Sequence, residues 1–204
     1  RREILRYAAL ATGAAVSAPF ASAFLTSCKR DAEVVAGKIA YEPKFFNADE
    51  YEFITKFADT IIPRTDTPGA SDVGVPEMID KVVADVYGKV DQVETREGLG
   101  KLMAKMDADN IEHGKFVQAN NETMLMYLQD QDLHYKNPDT DWKAAGEEAE
   151  TMRGAYFSLK QAVIANYFGS EEVATTQLAY LPVPGEYIAC GDLEELTGGV
   201  AWAI

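Results

Sequence analysis

From Asn47 to Gln177 the apolar residues recur at spacings of three and four, and no stretch of useful length alternates. That periodicity puts apolar side chains on one face of a helix and excludes a sheet as the organising element. The first helix is the clearest. Asn47 followed by Glu50 forms a capping pair, Tyr51, Ile54, Ala58, Ile61 and Ile62 repeat at helical spacing, and Pro63 stops the run. Phe45 and Phe46 precede the cap as a hydrophobic staple. A loop dense in Pro and Gly runs from Pro63 to Pro76, with Pro68, Gly69, Gly74 and Val75 inside it, and Gly69 is expected to need positive φ. Pro76 suits the first turn of a second helix whose apolar face is Met78, Ile79, Val82, Val83, Val86 and Tyr87, closed by Gly88.

Four more helices follow. The third spans about 91–112 with Leu99, Leu102, Met103 and Met106 on one side, weakened by Gly98 and Gly100. Asn121 is expected to cap a fourth, carrying Met124, Leu125, Leu128 and Leu133 and broken at Asn137-Pro138-Asp139. A long fifth runs over about 141–168 with Met152, Tyr156, Leu159, Val163 and Tyr167, ending at Gly169; Ser170 caps a short sixth through Gln177. The fold class is therefore all-α: a single domain of about five or six helices over residues 47–181.

Residues 182–204 differ in character. Pro182, Pro184, Gly185, Tyr187, Gly198, Gly199 and Trp202 give an extended aromatic tail that cannot form a core alone. It either wraps over its own helices or lies on a partner, with Tyr187 and Trp202 as anchors.

The other end reads as an address. Three arginines against one glutamate, then an Ala-rich apolar run to Leu25, then small residues, follow the order of a secretory signal. Arg1-Arg2-Glu3-Ile4-Leu5-Arg6 is similar to a twin-arginine signal, with Arg1, Arg2, Ile4 and Leu5 as its core. Leu25-Thr26-Ser27-Cys28 resembles a lipobox, with Cys28 the acylated residue. Residues 1–27 thus form a signal or a retained anchor, and 28–46 a tether. Localisation on the periplasmic side of the membrane follows, with lipid anchoring if Cys28 is acylated.

The remaining 177 residues hold 16 basic and 32 acidic side chains within an overall charge of −14, a surface that repels nucleic acid. Two cysteines are too few for a disulfide scaffold; with Cys28 acylated, Cys190 is expected to be a buried thiol, and a Cys28–Cys190 bridge is the alternative. His113 and His134 stand on different helices without a neighbouring cysteine, which argues against a zinc or iron site. There is no Cys-x-x-Cys-His and no Gly-x-Gly-x-x-Gly after a strand. Catalytic, cofactor and metal residues are accordingly none. The pairs Glu147-Glu148 and Glu194-Glu195 point to different sides of a helix and read as solvated faces.

The run from Phe57 through Ile61-Ile62-Pro63-Arg64 and Pro68-Gly69-Ala70 to Gly74-Val75-Pro76 and Ile79-Asp80 resembles the gluconate 2-dehydrogenase subunit 3 family. Tyr156 to Lys160, Tyr167-Phe168-Gly169-Ser170 and the Gly-rich aromatic end add to the likeness. The resemblance implies an accessory subunit. The flavin, FAD, would sit in a catalytic large subunit of the glucose-methanol-choline type, with haem c in a cytochrome as a third subunit, and the small subunit would carry the export signal for both. The Pro-Gly loop, at Pro63, Pro68, Gly69, Gly74 and Val75, would shape part of the partner surface. Two other readings stay open: a carbohydrate-binding or structural lipoprotein, and a free-standing enzyme with paired carboxylates about 5 to 10 Å apart. Against the lipoprotein, neither Trp142 nor Trp202 is expected to have an aromatic platform.

Overall fold

A computed structural model describes residues 41–109, 114–183, 185–186, 188 and 190–203. These fall, from Glu42 onward, in one unit. The proposed export residues Arg1, Arg2, Ile4 and Leu5, the lipidation residue Cys28, His113 and Tyr187 lie outside the described residues.

Helix α1, Ala48–Ile61, starts as its cap dictates: the Asn47 side chain accepts the Glu50 N–H while the Glu50 carboxylate accepts the Asn47 N–H, both at 2.9 Å. Phe53, Ile54, Phe57 and Ala58 are wholly buried, so α1 is the central core helix. Each buried Phe or Ile contributes roughly 1.5–3 kcal/mol through apolar area removed from water. Helix α2, Val75–Asp85, has Pro76 in its first turn, but its buried stripe is narrower than expected. Ile79 and Val83 are buried; Met78, Val86 and Tyr87 face solvent. The buried residue not foreseen is Asp80, whose carboxylate accepts the N–H groups of Lys44, Phe45 and Phe46. That bond set, with Arg96 stacked 4.2 Å over the Phe45 ring, fixes how the chain enters α1.

Helix α3, Lys89–Asp109, runs through both of its glycines. At Gly98 the reason is packing, since a Cβ there would come 3.0 Å from the Cβ of Ala155. A single 3-10 turn, Phe116–Gln118, drops Phe116 into the core and is held by Asp107, which accepts the Phe116 N–H at 2.7 Å. Helix α4, Asn121–Tyr135, is capped one residue earlier than expected, by Asn120 through the Thr123 N–H. Met124 and Leu128 are buried as expected, whereas Leu125 and Leu133 are exposed and Gln131 and Tyr135 take the inner positions.

Helix α5, Glu147–Phe168, begins six residues after the expected start. Asp141 accepts the N–H groups of Lys143 and Ala144, closing a separate turn that ends at Gly146. Its inner residues Tyr156, Val163 and Tyr167 are the expected ones. Helix α6, Glu171–Thr176, is capped by Ser170 as predicted. The tail contains a further helix, α7, Leu193–Thr197, whose N-cap is Asp192. The structure is therefore helical, with seven α-helices and no named strand among the described residues. The pairing of Ala179 with Trp202 is an isolated parallel bridge.

An aromatic chain links the helices. Phe116, Phe53, Phe57, Tyr156, Tyr135 and Trp142 follow one another at centroid distances of 5.6, 6.0, 5.9, 5.2 and 5.6 Å. Contrary to expectation, Trp142 does have aromatic neighbours, His134 among them at 5.3 Å. With Arg153 beside its ring, the half-buried Trp142 packs the 137–146 connection onto α4 and α5.

Candidate partner interface

Three features face outward: the loop between α1 and α2, a groove between α2, α3 and α5, and the tail.

The loop is held by its own acids. Asp72 receives the Gly69 N–H at 2.8 Å and pairs with Nε and Nη2 of Arg64, while Asp59 on α1 accepts the Ser71 N–H and hydroxyl at 2.9 and 2.8 Å. From α5, the Tyr167 hydroxyl donates to the Pro68 carbonyl at 2.8 Å. Gly69 is not at positive φ, so that expectation is corrected. Glycine is demanded there by close approach, because a Cβ would lie 2.8 Å from the Arg64 nitrogen and 3.3 Å from the Ile62 oxygen. The residue that does need left-handed backbone is Gly74, at φ 76 before the first turn of α2. Gly69 and Val75 are buried and Pro68 and Gly74 half-buried, so of the five loop positions only Pro63 is fully exposed, beside Arg64, Thr65 and Asp66.

The groove has a volume of about 720 Å³. Phe46, Ile54, Ile79, Val83 and Leu99 form its buried floor. Gly154, Ala155, Ser158 and Ala162 of α5 make one wall, and Asp91, Glu94 and Glu97 of α3 with Glu147 of α5 stand on the rim. At its α2 end the corner residues Val86 and Val90 are 74 % and 70 % exposed. Nothing in the chain's periodicity announces this groove, because its floor reads as ordinary core stripes and its gap exists only once the three helices are placed together.

The tail leaves the core altogether. No described residue after Val173 belongs to the core cluster, and Tyr180, Leu181, Val183, Ile188, Leu193, Leu196, Val200 and Trp202 are all exposed. What orders it is local: Ala179 donates to the Ala201 carbonyl and accepts from Ala203, both at 2.9 Å, so 179–203 closes into a loop on itself. Trp202, 43 % exposed, sits at that closure. Cys190, expected to be buried, is exposed and has φ 56.

Behind these surfaces lies one polar network. Asp132 on α4 accepts the Tyr156 hydroxyl at 2.7 Å and pairs with Lys160, one turn along α5. Burial alone would raise the Asp132 carboxyl, but the hydrogen bonds from Lys160 and Tyr156 outweigh it and hold it below the ordinary carboxylate value. The Tyr156 phenol is pushed far up by burial and by that same carboxylate, so it stays protonated and serves as a structural donor. Among the described residues no group of three His, Cys, Asp or Glu side chains is placed to hold a metal ion, and no helix is long and apolar enough to cross a membrane.

The family model for gluconate 2-dehydrogenase subunit 3 matches residues 48–185, more than half of the chain. The chain belongs to the gluconate 2-dehydrogenase subunit 3 family. Searches of curated proteins and of solved structures find no match. The family is that of an accessory subunit of a dehydrogenase. Its match takes in α1 to α6, the Pro-Gly loop and the groove apart from Phe46, and ends at Gly185, before α7 and Trp202.

Proposed function

We propose that the chain is the non-catalytic small subunit of an FAD-dependent sugar or glycoside dehydrogenase of the glucose-methanol-choline type, needed for the export, stability and membrane placement of the catalytic subunit. Family membership supports the class. The observation that carries the binding role is the tail: eight large apolar side chains beyond Ala179 stand outside the core of their own domain. Exposed apolar surface on that scale is characteristic of an interaction site. The partner is the flavin-bearing large subunit, with a haem c subunit as a third component, and Trp202 and Tyr187 are the tail's anchors. Arg1 and Arg2 direct the pair through the twin-arginine route to the periplasmic side of the membrane, where an acylated Cys28 would hold it.

Export is the direct test. With the cognate flavoprotein co-expressed, replacing Arg1 and Arg2 by Lys should leave flavin-dependent dehydrogenase activity in the cytoplasm. Undiminished periplasmic activity in that variant would overturn the export role.

A further inference from the structure

We propose that the groove between α2, α3 and α5 seats an amphipathic helix of the flavoprotein subunit, one whose apolar ridge enters between Val82 and Gly154 and whose flanking lysines or arginines meet the acidic rim. The inference rests on the accessory-subunit reading and adds to it a second contact surface, distinct from the tail and lined, Phe46 apart, by residues of the family-matched region.

Shape points to a helix. The floor is aliphatic and aromatic, and although Ala155 of the α5 wall already packs against Gly98 of α3, Gly154, Ser158 and Ala162 are small enough for a second backbone to approach to the 8–10 Å typical of packed helices. Gly154 adds a physical oddity. It lies in the interior of a 22-residue helix, where glycine is less favourable than alanine, yet a Cβ there would meet nothing within 4 Å. The groove is thus open directly above Gly154, and a body entering it meets no side chain there.

Charge selects the occupant. Asp91, Glu94 and Glu147 have no ion-pair partner among the described residues, and Glu97 is paired only with Lys101 on its own helix, at 2.7 Å. Such a rim attracts cationic flanks and speeds their docking. It repels an anionic lipid surface, and it repels a second copy of a chain whose net charge is −14. Of the groove's polar side chains, Thr151 and Asn166 donate back to the Glu147 and Ala162 carbonyls of their own helix.

The test uses the full chain co-expressed with the cognate flavoprotein and purified through a tag on this chain, with bound flavin as readout. Gly154→Trp puts a bulky ring into the groove from a position where a Cβ meets nothing within 4 Å, so it should melt close to wild type while recovered flavin falls at least tenfold. Glu94→Lys with Glu147→Lys should lower recovery similarly, and Asp130→Lys with Asp139→Lys on an outer face should not. A photo-crosslinker at Ser158 should map to a Lys- or Arg-flanked helix of the flavoprotein. Wild-type recovery by Gly154→Trp, or a crosslink to a second copy of this chain, overturns the groove assignment and leaves the accessory-subunit reading intact. Failure of the wild type itself to recover flavin overturns both.

Discussion

Asp80 Oδ1 accepts the Phe46 N–H at 2.9 Å across 34 residues of sequence, joining the interior of α2 to the residue just before the α1 cap. The same carboxylate takes the Phe45 N–H at 3.0 Å and the Lys44 N–H at 2.7 Å. A fully buried carboxylate is tolerable because three donors satisfy it, and those donors have no helix of their own to bond to. Asp80→Ala should cost roughly 2–4 kcal/mol, since it strands three backbone donors, the Phe46 N–H among them buried. For a domain of this size that lowers Tm by about 5 to 15 °C. Asp80→Asn keeps one acceptor oxygen and should fall between. Melts of the three proteins that superimpose would show that the latch carries no stability.

The two loop glycines separate close approach from backbone conformation. Gly69→Ala drives a methyl against the Arg64 backbone nitrogen, which cannot swing away, and overpacking of this kind costs about 1–3 kcal/mol. Gly69→Val should be worse. Gly74→Ala meets only the end of the Glu77 side chain at 3.9 Å, so its cost is conformational, about 1–2 kcal/mol for a left-handed residue with a Cβ. Chemical denaturation that ranks Gly69→Val as mild as Gly74→Ala would contradict the steric account.

Stability should depend on pH through Asp132 and Asp109. Both carboxyls sit below their ordinary value in the fold: burial opposes ionisation, but Lys160 and Tyr156 hold Asp132 and Lys105 and Tyr127 hold Asp109. A depressed folded pKa gives stability that is present above the unfolded value, near 3.9, and is lost as pH falls through the folded one. Asp132→Asn should therefore destabilise at pH 7 and close much of the gap to wild type at acid pH below the unfolded value. A constant difference between the two proteins from pH 7 down to acid unfolding would refute this assignment.

The α1 cap, the stop at Pro63, the Pro76 start and the Ser170 cap were legible in sequence because each is a contact within three or four residues. Asp80 was not, as its donors lie on another segment and a lone acid in an apolar stripe reads as an exposed edge. Neither was the Tyr167 to Pro68 bond, which spans 99 residues. Gly69 was read as a conformational glycine because close backbone approach leaves no local signature, whereas turn chemistry does. The groove needed three helices placed together. The tail's apolar composition was plain, but α7 is only five residues long, below the length at which periodicity is visible.

Truncation after Leu181 separates tail from core. Because the described core ends at Val173, the shortened chain should keep its helical circular dichroism and its melting temperature within a few degrees. It should lose co-purification with the flavoprotein, each aromatic anchor contributing about 2 kcal/mol or more to association. Loss of the helical signal would assign the tail to the domain's own core instead.

The central claim is that this chain serves a flavoenzyme and is not one. Its most direct measurement is flavin content and dye-coupled sugar dehydrogenase activity of the chain purified alone and of the same chain purified with its co-expressed flavoprotein. The account predicts neither flavin nor activity in the first sample, and both in the second, at one FAD per catalytic subunit. Dehydrogenase turnover by the chain alone, or a flavoprotein that never co-purifies with it, would contradict the account.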